Sequence, residues 1–390
     1  MKALCWEGKK EIELKHVHDP KIINPHDAII RVTTAAICGS DLHLFNGVVP
    51  SMMKGDIMGH ETMGEVMEVG PLVKNIKVGD RIVIPFDIGC GSCHHCEEQE
   101  YSACDNTNPN FMMPQKLNGY SGAGLFGFSH MYGGYAGGQA EFIRVPFVDT
   151  NSIVIPPGID DEKVLFLSDI FPTGYMAAEN CNIKRGDTVA VWGAGPVGQM
   201  AIRSAFLLGA ERVIAIDHYE ARLQMARDGG AETINFDDVD AIVDELRFLT
   251  GGQGPDSCID AVGMEAHGHS ILNAVDQFKQ KTKLALDRPD ALRRAIQSCR
   301  KEGTVSVPGV YAGLLDKFPL GASFGKGLTL KMGQTHTQKY MKPLLDRILK
   351  GEIDPSFVIT HRINIAEGPQ AYKNFNDKKD EYIKVVMKMQ

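Results

Sequence analysis

The chain has 390 residues and a formal net charge of −8. That length buries a core easily and leads one to expect two or three domains. With no long basic block it is not built for nucleic acid, and with no apolar run of roughly 18 residues it is not built to span a membrane.

In chain order, Met1 to Glu13 carries charges every few residues and lacks the unbroken apolar stretch of a secretory leader, so the expected compartment is the cytoplasm. From Met1 to about Val154 the pattern is strands and turns. Ala28–Thr33, Gly64–Val69 and Arg81–Pro85 are short, β-branched and bounded by Gly, Asp or Pro. Just after the first of them comes Cys38-Gly39-Ser40-Asp41-Leu42-His43, and about twenty residues on, Gly59-His60-Glu61. A thiolate and an imidazole are partial ligands for a catalytic zinc, which needs a third protein ligand and an open position; as an isolated pair they read equally well as structural residues.

Nine cysteines is an odd number, and four of them fall between Cys90 and Cys104. In a cytosolic chain such clustering points to metal rather than disulfides. Cys90, Cys93, Cys96 and Cys104 follow C-x2-C-x2-C-x7-C. Four thiolates can wrap one zinc tetrahedrally and leave no corner for water, which makes the site structural; an iron–sulfur cluster is the alternative use of four cysteines. His94 and His95 read as solvated neighbours. Asn106 to Gly138 is rich in Gly, Phe, Tyr and Met and reads as a long loop, a cover over a cofactor.

From about Ile170 to Met332 strand and helix alternate. Thr188–Trp192, Arg212–Asp217, Ser257–Val262 and Thr304–Val307 read as buried strands, with helices such as Gln199–Leu208 and Ala291–Arg300 between them. This predicts a doubly wound parallel sheet. Gly193-Ala194-Gly195-Pro196-Val197-Gly198 matches G-x-G-x-x-G between a strand and a helix, and Asp217 ends the next strand about twenty residues on. Gly193 permits the turn, Gly195 lets backbone approach a pyrophosphate, Gly198 lets helix and strand pack, and the helix N-terminus favours phosphate. Asp217 would accept from the adenosine ribose hydroxyls and repel a 2′-phosphate, so NAD is expected over NADP. His218 instead of Arg supports that choice, and Arg222 is the cation at this end of the site that would weaken it. The last 55 residues or so return to short strands with one amphipathic helix near Met341–Leu349.

Taken together, Cys38-Gly39-Ser40-Asp41-x-His43, Gly59-His60-Glu61, the cysteine quartet and the glycine turn resemble the zinc-containing medium-chain alcohol dehydrogenases from end to end. Leu167-Ser168-Asp169-Ile170-Phe171-Pro172-Thr173-Gly174-Tyr175 and Asp260-Ala261-Val262-Gly263-Met264-Glu265-Ala266-His267-Gly268-His269 look like the glutathione-independent formaldehyde dehydrogenase and formaldehyde dismutase branch. The stretch from Asn273 to Asp290 departs from that branch.

The resemblance implies an α/β fold: a GroES-like, mostly-β catalytic domain (1–169 and 333–390) with an inserted Rossmann NAD-binding domain (170–332). It implies one catalytic and one structural Zn2+ per chain. Cys38, His60 and Asp169 would hold the catalytic ion, Asp169 standing where relatives commonly have cysteine; Glu61 is the runner-up oxygen ligand. A carboxylate is a harder ligand than a thiolate and leaves the ion more electrophilic. Asp41 would orient His60 through its other ring N–H. Ser40 would pass the substrate proton towards His43, aided by the nicotinamide ribose hydroxyls. Thr173 would lie near the nicotinamide and Lys384 would reach the pyrophosphate, unless it is only a strand-edge lysine in water. Cys5, Cys181, Cys258 and Cys299 read as packing residues.

The substrate expected is formaldehyde or its hydrate, with a small alcohol or polyol as the general alternative. A nucleotide-binding protein that has lost activity is the non-enzyme alternative, and the intact Cys38, His60, Asp169, Ser40 and His43 count against it. Related enzymes are dimers or tetramers, which makes a homotetramer the expected assembly.

Overall fold

Ala28–Ile37 is buried along almost its whole length, unlike the in–out alternation of a surface strand. In the computed structural model it is the central strand (β3) of a seven-stranded sheet. The structure describes residues 1–264, 289–311, 315, 317–377 and 381–389. Glu265 to His269, and Asn273 up to residue 288, lie outside the described residues, so nothing structural bears on those sequence expectations.

The described residues form two compact units, Met1–Pro172 with Thr335–Gln390, and Thr173–Gln334. In the first, β1 (Lys2–Gly8) pairs with β2 (Glu11–His16) and with β4 (Asp56–Ile57). The larger sheet adds β5 (Glu61–Val69), β6 (Arg81–Ile84), β9 (Phe142–Val145) and β10 (Ile153–Val154) on the N-terminal side of the chain. From the C-terminal segment come β17 (His361–Asn364) and β18 (Val385–Lys388), and β18 pairs antiparallel with β3 from Val385↔Ile37 to Lys388↔Thr34. A two-stranded ribbon joins β7 (Asp87–Ile88) and β8 (Gly124–Leu125).

Three sequence readings of the first unit need correction. The stretch 106–138 is not a plain loop: it contains a helix, Met112–Asn118, and the strand β8. The C-terminal segment has two helices, Thr337–Leu349 and Gly368–Asn376. The first starts earlier than expected because the chain tolerates Pro343 inside it, where a proline normally argues against helix upstream.

The second unit is a six-stranded sheet: β11 (Thr188–Trp192), β12 (Arg212–Asp217), β13 (Glu232–Asn235), β14 (Ser257–Asp260), β15 (Thr304–Val307) and β16 (Thr329–Met332). The order is β13-β12-β11-β14-β15-β16 and every pairing is parallel. That is the doubly wound 3-2-1-4-5-6 arrangement, whose order reverses between β11 and β14. β11 is buried at all its positions, as a strand covered on both faces must be. β14 stops at Asp260, not Val262, because the Asp260 carboxylate accepts from the N–H groups of Val262 (3.0 Å) and Gly263 (3.3 Å) and turns the chain. Among the described residues no helix is long and apolar enough to cross a membrane.

Candidate metal centres and nucleotide turn

Cys38 is the N-cap of the helix Gly39–Phe45, directly after β3. Its own N–H donates to Asp41 Oδ2 (3.0 Å), which fixes the first turn. His60 and Glu61 enter β5, whose neighbour on one side is β3 (Ala36↔Glu61). Asp169 follows a buried 3-10 turn, Leu165–Ser168. That turn is tied down by Phe86, whose N–H donates to the Ser168 carbonyl (3.0 Å) while its ring meets His60 edge-on at 6.2 Å between centroids.

These segments bring four donors together: one atom each of Cys38, His60, Glu61 and Asp169 lies within 4.8 Å of all the others. Cys38 Sγ is 3.4 Å and His60 Nε2 3.3 Å from the same oxygen, Asp169 Oδ2. Donors of one tetrahedral zinc, at 2.0–2.3 Å from the ion, stand about 3.3–3.8 Å apart, so the spacing fits. The charge fits as well. Burial pushes the Cys38 thiol up, and the carboxylates of Asp169 and Glu61 push it further. Burial also opposes charge on His60, yet Asp41, Cys38 and Asp169 together hold its pKa well above the usual histidine value. The donor set is rich in negative charge, which suits a divalent cation. Asp41 Oδ1 sits 3.1 Å from His60 Nδ1, leaving Nε2 to face the cluster.

Ser40 and His43 are three residues apart on the same helix and both are part-exposed; Ser40 Oγ is 3.6 Å from Cys38 Sγ. Lys384 is where the sequence reading fails. Neither a solvated edge lysine nor open to a phosphate, it is fully buried in β18's approach, with its ammonium on the equally buried Glu61 carboxylate. It also lies over the Phe166 ring at 5.5 Å. A buried ammonium needs a counter-charge, and Glu61 is the one supplied.

The four cysteines of the quartet form the second cluster, also with ligand atoms within 4.8 Å of one another. Cys93 Sγ and Cys104 Sγ are 3.8 Å apart, Cys90 Sγ and Cys96 Sγ 4.0 Å. Zinc–sulfur bonds of 2.3 Å at tetrahedral angles place sulfurs about 3.8 Å apart. Cys96 and Cys104 are buried, Cys90 and Cys93 partly exposed. Burial works against a thiolate at Cys90, but the Ser92 N–H and the Asn106 amide lower it to about 6. His94 and His95 contribute no donor to this cluster; His95 pairs instead with Glu100.

In the second unit, Gly193 has φ +87, and a Cβ on Gly198 would stand 1.8 Å from the Gly193 carbonyl oxygen, so both positions demand glycine. Gly195 caps the helix Pro196–Leu207, with Pro196 and Val197 in its first turn. A Cβ on Gly195 would meet nothing nearer than Arg222 Nη1 at 3.7 Å, so the helix N-terminus faces an open cradle of the kind phosphates occupy. Asp217 accepts from the N–H groups of Ala194 (2.8 Å), His218 (2.7 Å) and Tyr219 (3.1 Å). Arg222 Nη1 is 3.5 Å from Asp217 Oδ2, and its guanidinium lies 4.8 Å from the Tyr219 ring centroid. The residues present thus fit a dinucleotide. Thr173 is buried in the helix Ile170–Asn180.

Sequence reasoning missed the neighbours of Asp41. Gln139 and Tyr372, both fully buried, stand behind it. The only sequence signal was the Gly137-Gly138 pair before Gln139, since paired glycines mark a close backbone approach.

Comparison with known proteins gives a consistent picture. Residues 24–156 match the alcohol dehydrogenase GroES-like domain and residues 196–286 the zinc-binding dehydrogenase domain. An uncharacterized zinc-type alcohol dehydrogenase-like protein of Bacillus subtilis is 41% identical, with 100% of both chains covered. A glutathione-independent formaldehyde dehydrogenase of the same organism is 33% identical, with 96% of this chain and 94% of that one covered. Among solved structures, an alcohol dehydrogenase from Thermus is 33% identical, with 100% of each chain covered and a TM-score of 0.84.

Proposed function

The chain belongs to the zinc-containing medium-chain alcohol dehydrogenases, and from that premise we propose that it oxidises formaldehyde hydrate, or a closely similar small alcohol, with NAD as hydride acceptor. The observation that carries the narrower reading is Asp169: a carboxylate oxygen lies within 3.4 Å of both Cys38 Sγ and His60 Nε2, in the third-ligand position. The formaldehyde dehydrogenase relatives at 31–33% identity support the same reading.

In this reading Cys38, His60 and Asp169 hold the catalytic zinc, Glu61 is an alternative ligand, and the quartet holds the structural one. When bound, the catalytic ion supplies a Lewis acid that lowers the pKa of the substrate hydroxyl. A nucleotide held at the glycine turn would supply the hydride acceptor. The chain's own residues do the rest. Cys38, fixed by the first turn of its helix, and His60, oriented by Asp41, set the geometry. Ser40 takes the hydroxyl proton and passes it towards His43 and solvent. Asp217 selects NAD over its 2′-phosphate, with Arg222 tempering that choice. Thr173 lines the nicotinamide end. The assembly that goes with this chemistry is a homotetramer, or a dimer, and the compartment the cytoplasm.

A general alcohol or polyol dehydrogenase is the second reading, because the Thermus alcohol dehydrogenase is as similar (33%) as the formaldehyde dehydrogenase. The test is absorbance of reduced nicotinamide on mixing the zinc-loaded protein with NAD and, in turn, formaldehyde, primary alcohols and polyols. A kcat/KM for formaldehyde at least tenfold above ethanol is expected. Turnover of ethanol or a polyol without formaldehyde turnover would replace the first reading by the second. Silence with every substrate, in protein carrying two zincs, would leave a nucleotide-binding protein.

A further inference from the structure

Behind Asp41, through Gln139 and Tyr372, runs a buried chain of hydrogen bonds that nothing in the proposed chemistry yet uses. Tyr372, on the helix Gly368–Asn376, donates its O–H to Gln139 Oε1 (2.8 Å). Gln139 Nε2 donates to the Ala36 carbonyl (3.0 Å) and to Asp41 Oδ2 (3.2 Å). Asp41 Oδ2 also takes the Cys38 N–H (3.0 Å), which leaves Oδ1 for His60 Nδ1 at 3.1 Å.

The direction of the bonds through Gln139 is forced. A backbone carbonyl and a carboxylate can only accept, so the Gln139 amide must present its NH2 to them and its oxygen to Tyr372. The Tyr372 hydroxyl is therefore locked as donor. With Asp41 Oδ2 taken by two N–H groups, Oδ1 is the oxygen turned to His60 Nδ1, at an ion-pair distance of 3.1 Å. Nε2 is then the ring nitrogen that faces Asp169, at 3.3 Å.

Packing makes the chain stiff. Gln139 N–H donates to Met58 O (2.9 Å) and Gly138 N–H to Gly59 O (2.8 Å), so the 137–139 segment is stitched to the residues that precede His60. Gly59 has φ +94, and a Cβ there would come within 2.3 Å of Gln139 Cγ. The Tyr372 ring meets Phe45, the far end of the helix that starts at Cys38, at 5.7 Å between centroids. One tyrosine thus braces the element carrying Cys38 and, through Gln139 and Asp41, the orientation of His60.

We propose that Gln139 and Tyr372 are positioning residues for the catalytic zinc, fixing Asp41 and through it the aim of His60. This rests on the reading that Cys38, His60 and Asp169 hold that ion. Outer partners of metal-bound histidines typically account for about 10–100-fold in metal affinity.

The experiment uses the full-length holoenzyme and the variants Gln139→Met, Tyr372→Phe and the double variant. Zinc loss is followed by competition with a chromogenic chelator, the quartet's zinc serving as internal reference. The catalytic ion is also exchanged for Co2+ and its visible ligand-field spectrum recorded. Tyr372→Phe keeps the ring and its Phe45 contact, so it tests the hydroxyl in a folded protein. The expected results are catalytic-site affinity about 10-fold weaker in Tyr372→Phe and up to about 100-fold weaker in Gln139→Met. The Co2+ bands should shift in both, with quartet zinc unchanged, and the double variant should be no weaker than Gln139→Met. Unchanged affinity and spectrum in both single variants, whatever their melting temperatures, would overturn the proposal; so would additive losses, since Tyr372 would then act by another route. Wild-type protein with only the quartet zinc would instead remove the underlying catalytic-site reading, and the proposal with it.

Discussion

The two donor clusters are built in opposite ways. The quartet comes from a single stretch, Cys90 to Cys104, held by short turns and little regular structure. Its sulfurs are near neighbours along one winding stretch, and at a zinc site of that kind metal binding and local folding are one event. The second cluster draws on three separated segments: the start of a helix, the entry to β5 and a 3-10 turn. Each is held by its own backbone pairing and by partners such as Asp41, Phe86 and Gln139. Here the scaffold precedes the ion. A structural site lets metal make the fold, whereas a reactive site needs the fold to impose geometry on the metal.

Removing a ligand from each cluster puts that contrast at risk. Cys104→Ser is expected to have the largest effect, because structural zinc binding carries on the order of 10 kcal/mol that is linked to folding. Zinc content should fall by one ion per chain, and amide hydrogens over residues 90–105 should exchange freely. Unchanged exchange there would show a lobe that folds without its metal. His60→Ala should lower turnover about a thousandfold, roughly 4 kcal/mol, while the melting temperature moves by only a few degrees. If that variant unfolds, the scaffold is not prior to the ion and the contrast collapses.

Lys384→Met sharpens the comparison further, since the reactive cluster contains a charge that the protein must balance itself. Leaving Glu61 buried without its ammonium should cost about 3 kcal/mol in urea unfolding. The double variant Glu61→Gln/Lys384→Met should recover most of that loss, which a double-mutant cycle measures.

The smallest effect is expected at Asp161, a carboxylate of the same unit that belongs to neither cluster. Burial raises its pKa, but donors on Thr33 (2.7 Å), Thr34 (3.0 Å) and Arg81 (2.6 Å) outweigh that and hold it below the usual carboxylate value. A depressed folded pKa stabilises the fold above the unfolded value near 4, and the gain is lost as pH falls through the folded pKa. Asp161→Asn should therefore cost about 1–2 kcal/mol at pH 7 and close to nothing under strongly acid conditions, read from unfolding midpoints across pH.

The same contrast explains what could be read without coordinates. The quartet is legible because its spacing is local. β11 and the glycine turn are legible because a strand buried on both faces and a phosphate cradle both leave contiguous signatures. Cys38 and His60 are only half-legible as a pair, and Asp169 needed the family resemblance, since no spacing rule links residues brought together by tertiary pairing. Lys384 was misplaced for that reason: nothing near it in the chain announces Glu61. The helix Gly368–Asn376 did leave a trace. Asn364 and Glu367 form a capping box on the 3-10 turn Ile365–Glu367 that leads into it, and Pro369 stands in the helix's first turn, a start signal outweighed by the strand-like residues around it. Tyr372 and Gln139 are 233 residues apart and could be paired only in three dimensions.

The pairing of β18 with β3 bears on the order of events during synthesis. The parallel sheet of the second unit draws on Thr188 to Met332 alone, and the quartet on fifteen contiguous residues, so both can mature while the ribosome still holds the chain's last segment. The central sheet of the first unit cannot, because Val385–Lys388 must return to Thr34–Ile37, and Glu61 must wait for Lys384. Until then β3 presents an open edge, the kind of surface that invites mispairing and chaperone capture. A nascent chain stalled before residue 384 would carry a finished parallel sheet in the second unit while the first unit's sheet stayed unclosed.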